Sequence, residues 1–452
     1  MKNRTLWQLW SLLTEAEQVH MGQWLQTELG ETQVYIQRLY RCLLGQTTAP
    51  TPAALWQALY PDAPFNDDRL RKLMRDLSQW LEVYLATRTF LADPEARDRY
   101  LLRGISQRGG KALFEHLLRR IWRRHSRRPD RSAAFFRQQF LLETEQWEHQ
   151  LSHHYQAAID PAPLQRALER WWLHERMELL CLEAAQAHRQ GSSVTLNDPL
   201  LSYAQAQATS ANLPALRLYL EVYHLLRGDS DKDAQVVREQ LQAVGSQIQA
   251  HEQRNLLNLL LNYHIGALNA AESDLHAREI LNLYQWGLEA RILLRDGHLA
   301  WNQYKNILTI SLRLRMPDVA WAYLHDLRPL LPQELREDAY QFNLGQYYFS
   351  QGRFAEVIAT YREQRFALPL YDVQARAYLL QAHYEQEGPG TEWLISMTES
   401  ALRYVREQQL PPLHQKGYQN FFRLLRRLMA ASTPAAIGRL TRILPETQPL
   451  PH

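Results

Sequence analysis

The chain has 452 residues, too many for one ordinary hydrophobic core, so we expect two to three domains or one elongated stack of repeats. Hydrophobic residues make up 46% and charged residues 22%, which excludes a disordered chain and is typical of folded soluble proteins. No run approaches roughly 18 uninterrupted apolar residues, so neither a transmembrane helix nor a membrane partner is expected. Cys42 and Cys181 lie far apart in sequence, which predicts no disulfide framework, no Cys-rich zinc site and a reducing, cytoplasmic location.

Helix-forming residues and helix caps dominate the chain. Leu outnumbers Val and Ile together by about three to one, which favours helix over strand. Thr14 and Glu17 have the spacing of a capping box, Thr51 precedes a first-turn proline, and Asn66 precedes two acidic residues. We therefore predict an all-α fold of stacked antiparallel helical hairpins, an α-solenoid, which begins with an N-terminal helical module over residues 1–92.

Residues 93–195 are predicted to form a region of long helices. Gly109 and Gly110 separate two helices between Pro94 and Arg128, and the glycine spacing around them does not match a phosphate-binding loop. A further helix is predicted over 163–190. Its apolar side chains that share one side are Leu164, Leu168, Trp171, Leu179 and Leu182.

Residues 196–445 are predicted to form helical hairpins joined by short connections, followed by a tail over 446–452. Seven residues between 338 and 369 have regular spacings: Leu344, Gly345, Tyr348, Gly352, Phe354, Tyr361 and Pro369. This pattern resembles the tetratricopeptide (TPR) consensus, in which a small residue permits close helix packing. Leu380, Tyr384 and Gly388 repeat it 36 residues later. TPR-like character is thus expected from about residue 298, and the chain is similar there to uncharacterised bacterial TPR-like proteins.

The first candidate binding surface is basic. Residues 97–137 contain thirteen Arg and Lys against three acidic residues, although the net charge of the whole chain is only +3. At about 100° per residue, one half of the helix over 111–128 holds Arg119, Arg120, Arg123, Arg124, Arg127 and Arg128. This face suits an anionic partner, because Arg grips phosphate and carboxylate through paired hydrogen bonds. The alternative is a solvated face that is neutralised by Glu143, Glu145 and Glu148 or by acidic helices packed against it.

The second candidate surface is a polar stripe in the repeats. It consists of Asn255, Asn258, Asn262, Asn302, Asn306, Arg313, Tyr340, Asn343 and Gln346, together with Thr309. In TPR-like stacks the first helix of each hairpin lines a concave groove, so the resemblance makes these residues candidate contacts for an extended peptide. The alternative is that they bond helix to helix or form a polar exterior.

The sequence contains no recognisable catalytic signature. Glu145, His149 and His153 recur every four residues and could offer three metal ligands on one helix face, but nothing nearby completes such a site, and a polar face is the preferred interpretation. We therefore predict no catalytic residue, no resident metal and no cofactor.

Two functional hypotheses follow, beside the alternative of an enzyme whose site is assembled from separate helices. The first is a non-catalytic scaffold or adaptor that binds a protein partner in a TPR-like groove. The second is a nucleic-acid-associated or regulatory protein that uses the Arg-rich helix over 111–128.

Overall fold

The computed structural model describes residues 4–29, 34–153, 159–189, 199–210, 213–228, 233–270, 273–387 and 392–429, together with 438, 440, 442 and 443. These residues form 21 α-helices and two short 3₁₀ turns, and they contain no β-strand. The all-α prediction is confirmed. Within the same residues, no helix is both long and apolar enough to cross a membrane. The predicted tail over 446–452 and the Gly388 connection lie outside the described residues.

The chain divides into two compact units, Met1–Arg128 with Phe136–Leu168 and Pro129–Phe135 with Glu169–His452. The helices that lie wholly in the first unit are α1 (Arg4–Ser11), α2 (Glu15–Leu29), α3 (Val34–Leu43), α4 (Pro52–Leu59), α5 (Asp67–Ala92), α6 (Pro94–Gln107) and α7 (Lys111–Ser126). Helix α5 contacts α1, α3, α4 and α6, so it is the centre of this part of the unit.

The predicted caps of these helices are present. The hydroxyl of Thr14 accepts from the backbone amide of Glu17, and the Glu17 carboxylate accepts from the backbone amide of Thr14 at 2.9 Å. Thr51 and Asn66 accept from backbone amides in the first turns of α4 and α5. Each side chain satisfies an amide that has no partner within its own helix, which fixes where the helix begins.

Helices α8 (Ala133–His153) and α9 (Ala162–Arg189) each contain residues of both units. The predicted apolar side of α9 is not its packing side, since Leu168, Leu179 and Leu182 are 43–56% exposed to solvent among the described residues. The buried side carries Leu173, Met177 and Leu180 together with the smaller Cys181 and Ala184. The thiol of Cys181 lies 3.1 Å from the carbonyl oxygen of Tyr219, an approach that a Leu at this position would prevent.

The second unit continues as α10 (Pro199–Ser210), α11 (Pro214–Arg227), α12 (Ala234–Val244), α13 (Ala250–Ala270), α14 (Asp274–Glu289), α15 (Trp301–Arg313), α16 (Pro317–Asp326), α17 (Gln333–Ser350), α18 (Phe354–Tyr361), α19 (Pro369–Glu387), α20 (Glu392–Glu407) and α21 (Pro412–Met429). Each helix packs against the next one along the chain. In addition, α11 contacts α13, α15 contacts α17, and α17 contacts α19. Alternate helices therefore form rows, one of α11 with α13 and one of α15, α17 and α19, as in a helical repeat fold.

The hairpin of α17 and α18 contains the residues of the predicted repeat. Gly352 turns the chain between the two helices with a φ of +68°, a conformation that other residues rarely adopt. Gly345 faces α18, and the buried ring of Tyr361 fills the space beside it. A small residue on one helix and a large residue on the other thus close this hairpin.

Candidate binding surfaces

Helix α7 presents its arginines on one side. Its apolar residues Phe114, Leu117, Leu118 and Ile121 are buried. Of the six arginines on the predicted basic face, five are exposed and Arg128 is half-buried. The separation arises from the sequence, because apolar residues at three- and four-residue spacing share one side of a helix.

The arginines of α7 differ in their partners. Arg124 forms an ion pair with Asp98, and Arg128 forms one with Glu95. Both acids lie on α6, which packs against α7. Four exposed arginines make no ion pair with any residue that the structure describes. We name them the α7 arginine strip: Arg119, Arg120, Arg123 and Arg127.

The three acids of α8 that were candidates to neutralise the arginine face, Glu143, Glu145 and Glu148, lie near other arginines. The Glu145 carboxylate accepts two hydrogen bonds from Arg103 of α6, and Glu148 lies 3.9 Å from the same guanidinium group. Burial raises the pKa of Glu143, an effect that the positive charge of Arg166 opposes. The α7 arginine strip is therefore not neutralised by these three residues.

The three candidate metal ligands on α8 have other contacts. Glu145 binds Arg103, as described above. Nδ1 of His149 lies 2.8 Å from the Ser106 hydroxyl, and its ring stacks on Phe114 at 3.7 Å between centroids. Nε2 of His153 lies 3.0 Å from the Ser106 carbonyl oxygen. Across the described residues, no group of three or more His, Cys, Asp or Glu side chains is arranged to hold a metal ion.

The asparagines of α13 differ in their surroundings. The Asn255 side chain is half-buried and donates a hydrogen bond of 2.7 Å to the carboxylate of Glu178 on α9. Asn258 and Asn262 are half-buried as well. Asn255 therefore serves helix packing, whereas Asn258 and Asn262 keep part of their surface open to solvent.

Helix α15 contributes the most accessible part of the stripe. Asn302, Thr309 and Arg313 are exposed, at spacings that place them on one side of the helix. Asn306 is half-buried and donates a hydrogen bond of 3.2 Å to the hydroxyl of Tyr284 on α14. Asn306 thus bonds to the preceding hairpin, whereas Asn302, Thr309 and Arg313 keep exposed surface.

The three predicted contact residues of α17 lie on two different sides of the helix. Asn343 is fully buried, and its amide donates to the Ala339 carbonyl one turn earlier. Gln346 is nearly buried and donates a 3.0 Å hydrogen bond to Thr309 of α15. Tyr340 faces α16 instead, where its hydroxyl lies 3.4 Å from His325. Gln346 thus joins α17 to α15, whereas the hydrogen bond of Asn343 stays within α17.

Lys305 of α15 is a charged residue outside the two surfaces that the sequence predicts. Its ammonium group lies 2.9 Å from the Gln374 side-chain oxygen on α19 and 5.8 Å from the centre of the Phe342 ring on α17. Burial lowers the pKa of Lys305 from 10.5 to about 8. It makes no ion pair with a carboxylate among the described residues. The sequence contained one signal for Lys305: it follows Asn302 by three positions, and residues at this spacing are neighbours on one side of a helix.

A second buried ionisable group is Glu252, at the start of α13. It is 1% exposed, and one of its oxygens accepts from the backbone amide of Ala133 at 3.5 Å. Burial, with smaller contributions from the nearby charges of Glu178 and Asp130, raises its pKa from 4.5 to about 8. The Glu252 side chain is therefore neutral at pH 7.

Comparison with protein-family models, with curated proteins and with solved structures found no match to this chain. The two surfaces are thus defined by their own chemistry: a strip of exposed guanidinium groups on α7, and a polar side of α15 with a partly buried ammonium group.

Proposed function

We propose that this protein is a non-catalytic, TPR-like scaffold or adaptor, acting in the cytoplasm, that binds an extended segment of a protein partner along α13, α15 and α17. The observation that carries the proposal is Lys305. A cation is held between three helices of the row by an amide oxygen, and no described carboxylate pairs with it. An acidic side chain of a bound partner would supply the missing charge.

The chemistry around Lys305 supports an elongated ligand. The exposed groups of Asn302, Thr309 and Arg313 follow α15 over about three turns on the same side. Amide and hydroxyl groups can accept hydrogen bonds from a peptide backbone and donate hydrogen bonds to it. The proposed partner segment is therefore extended and acidic.

The TPR-like part of the proposal rests on the α17–α18 hairpin. Gly345 lies beside the ring of Tyr361 and Gly352 turns the chain with a positive φ, which supports the resemblance to the consensus. In stacks of that kind the first helices of successive hairpins line the concave side. Helices α13, α15 and α17 would be such first helices.

The test is selection from a displayed library of random short peptides on the wild-type chain and on Lys305→Met. We expect wild-type selection to enrich Asp- and Glu-containing peptides and the variant to lose them, since an acidic side chain would no longer find a cation. Lys416→Met, at an exposed position of α21, removes the same charge and serves as the matched control.

Enrichment that is equal on Lys305→Met and on the wild type would contradict the proposed groove. Replacement of Asn258, Asn262 and Asn302 by Ala is the second variant, because all three retain solvent exposure. It is expected to weaken the selected peptides without a change in thermal unfolding.

A further inference from the structure

The α7 arginine strip is a concentrated positive charge that the proposed groove does not use. Its four members are exposed, while the neighbouring Arg124 and Arg128 are paired with acids of α6. At about 100° per residue, the two paired arginines occupy the edge of the arginine face that is turned to α6. The four others occupy the remaining 100° or so, centred near Arg123.

We propose that the α7 arginine strip binds the phosphate backbone of double-stranded DNA without reading its sequence. From Arg119 to Arg127 the strip extends about 12 Å along the helix axis. Over that length one strand of duplex DNA carries about three to four phosphates. The number of guanidinium groups therefore matches the number of phosphates that one strand presents.

The surroundings of the strip favour a polyanion over an acidic protein. A protein interface has an apolar centre that excludes water, with polar groups at its rim. Between Arg119 and Arg127 the apolar residues turn inward, because Ile121 is buried and Trp122 is half-buried. The strip itself is wholly cationic and offers no apolar anchor to a folded partner.

The charges at the ends of the strip limit its length. His116 and Glu115, both exposed, lie about one turn before Arg119. The carboxylate of Glu115 reduces the positive charge at this end. At the other end α7 finishes at Ser126, with Arg127 as its cap residue. The four arginines are therefore the whole of the proposed contact, which is assigned to phosphates and not to base edges.

The experiment measures binding of a fluorescein-labelled DNA duplex by anisotropy over a range of salt concentrations. We compare wild type with Arg119→Gln, Arg120→Gln, Arg123→Gln and Arg127→Gln combined. Each phosphate contact contributes about 0.9 to the slope of log affinity against log salt, so four contacts predict a slope smaller by about 3 to 4 in the variant. At low salt the variant is expected to bind at least a hundredfold more weakly.

A matched control carries Gln at Arg41, Arg71, Arg75 and Arg88, which are exposed elsewhere in the same unit. It has the same net charge as the strip variant and should bind DNA as the wild type does, apart from a small long-range effect. Equal affinities of the wild type and the strip variant would overturn the proposal, as would tighter binding of polyglutamate than of DNA. Unlabelled duplexes of different sequence should compete equally, and strong sequence preference would also count against it. The proposed groove would be unaffected by either result, because its test depends on Lys305.

Discussion

The ring of Tyr361 on α18 occupies the space that a side chain at Gly345 on α17 would need. A Cβ atom on Gly345 would fall 2.2 Å from Cζ of Tyr361, well inside van der Waals contact. Tyr361 is 3% exposed, and its hydroxyl donates a hydrogen bond to the Phe342 carbonyl of α17. This hydrogen bond holds the ring against α17, so the ring cannot move away from Gly345 without losing the bond.

We expect Gly345→Ala to lower the free energy of unfolding by about 1–3 kcal/mol, as overpacking of a well-filled core does. The measurement is urea-induced unfolding of the full chain. Gly104→Ala is the matched control, because Gly104 lies inside α6 and its nearest atom to an added Cβ is 3.5 Å away. There Ala should stabilise the protein by about 0.5–1 kcal/mol, since Ala is the better helix former.

A double-mutant cycle separates the clash from other effects. In a Tyr361→Leu background the smaller side chain leaves room, so Gly345→Ala should destabilise the protein less than it does beside Tyr361. An equal loss in both backgrounds would show that the ring is not what excludes a side chain at position 345.

The charge of Lys305 should lower the stability of the fold, although the proposed binding depends on it. Because burial holds the pKa of Lys305 near 8 instead of 10.5, its charged form is disfavoured in the folded state. Lys305→Met should therefore raise the free energy of unfolding at pH 7 by about 1–3 kcal/mol, after allowance for the lost hydrogen bond to Gln374.

The stability gain of Lys305→Met should depend on pH. Between about pH 8 and 10.5 the folded wild type releases the Lys305 proton before the unfolded chain does, so its stability rises with pH. The advantage of Lys305→Met should shrink across that range in chemical denaturation at pH 7 and pH 9.5. A variant that is less stable than wild type at pH 7 would refute the buried-charge account.

Glu252 predicts the opposite trend at lower pH. The carboxyl group ionises near pH 4.5 in the unfolded chain and near pH 8 in the folded one, so the folded state binds more protons in between. Stability should then fall as pH rises from about 4.5 to 8, by at most about 1.4 kcal/mol per pH unit from this group.

Glu252→Gln should remove that slope, because the amide keeps an acceptor for the Ala133 amide and carries no charge. We expect the variant to be more stable than wild type at pH 8 and nearly equal to it at pH 5. Glu289→Gln, at the exposed end of α14, is the matched control and should leave the pH profile unchanged. An unaltered slope in Glu252→Gln would assign the pH dependence to other groups.

Much of the fold could be predicted because helix signals are local. The capping residues Thr51 and Asn66 act within one helical turn, and the separation of arginines from apolar residues on α7 depends on spacing alone. The apolar side of α9 was predicted wrongly for the same reason. Leu179 and Leu182 are exposed whereas Leu180 and Ala184 are buried, so the side of α9 that is covered depends on the helices packed against it.

By itself, the sequence determined the all-α fold, the helix ends and the gathering of arginines on one side of α7, since each depends on residues within a few turns of one another. Only the tertiary structure decided which of these polar groups remain free. Asp98 and Glu95 neutralise two arginines from a neighbouring helix, Gln346 binds Thr309 across 37 positions, and Lys305 is buried beside Gln374 across 69. Such pairings depend on which helices pack together, because a side chain's charge and accessibility are set by its neighbours in space.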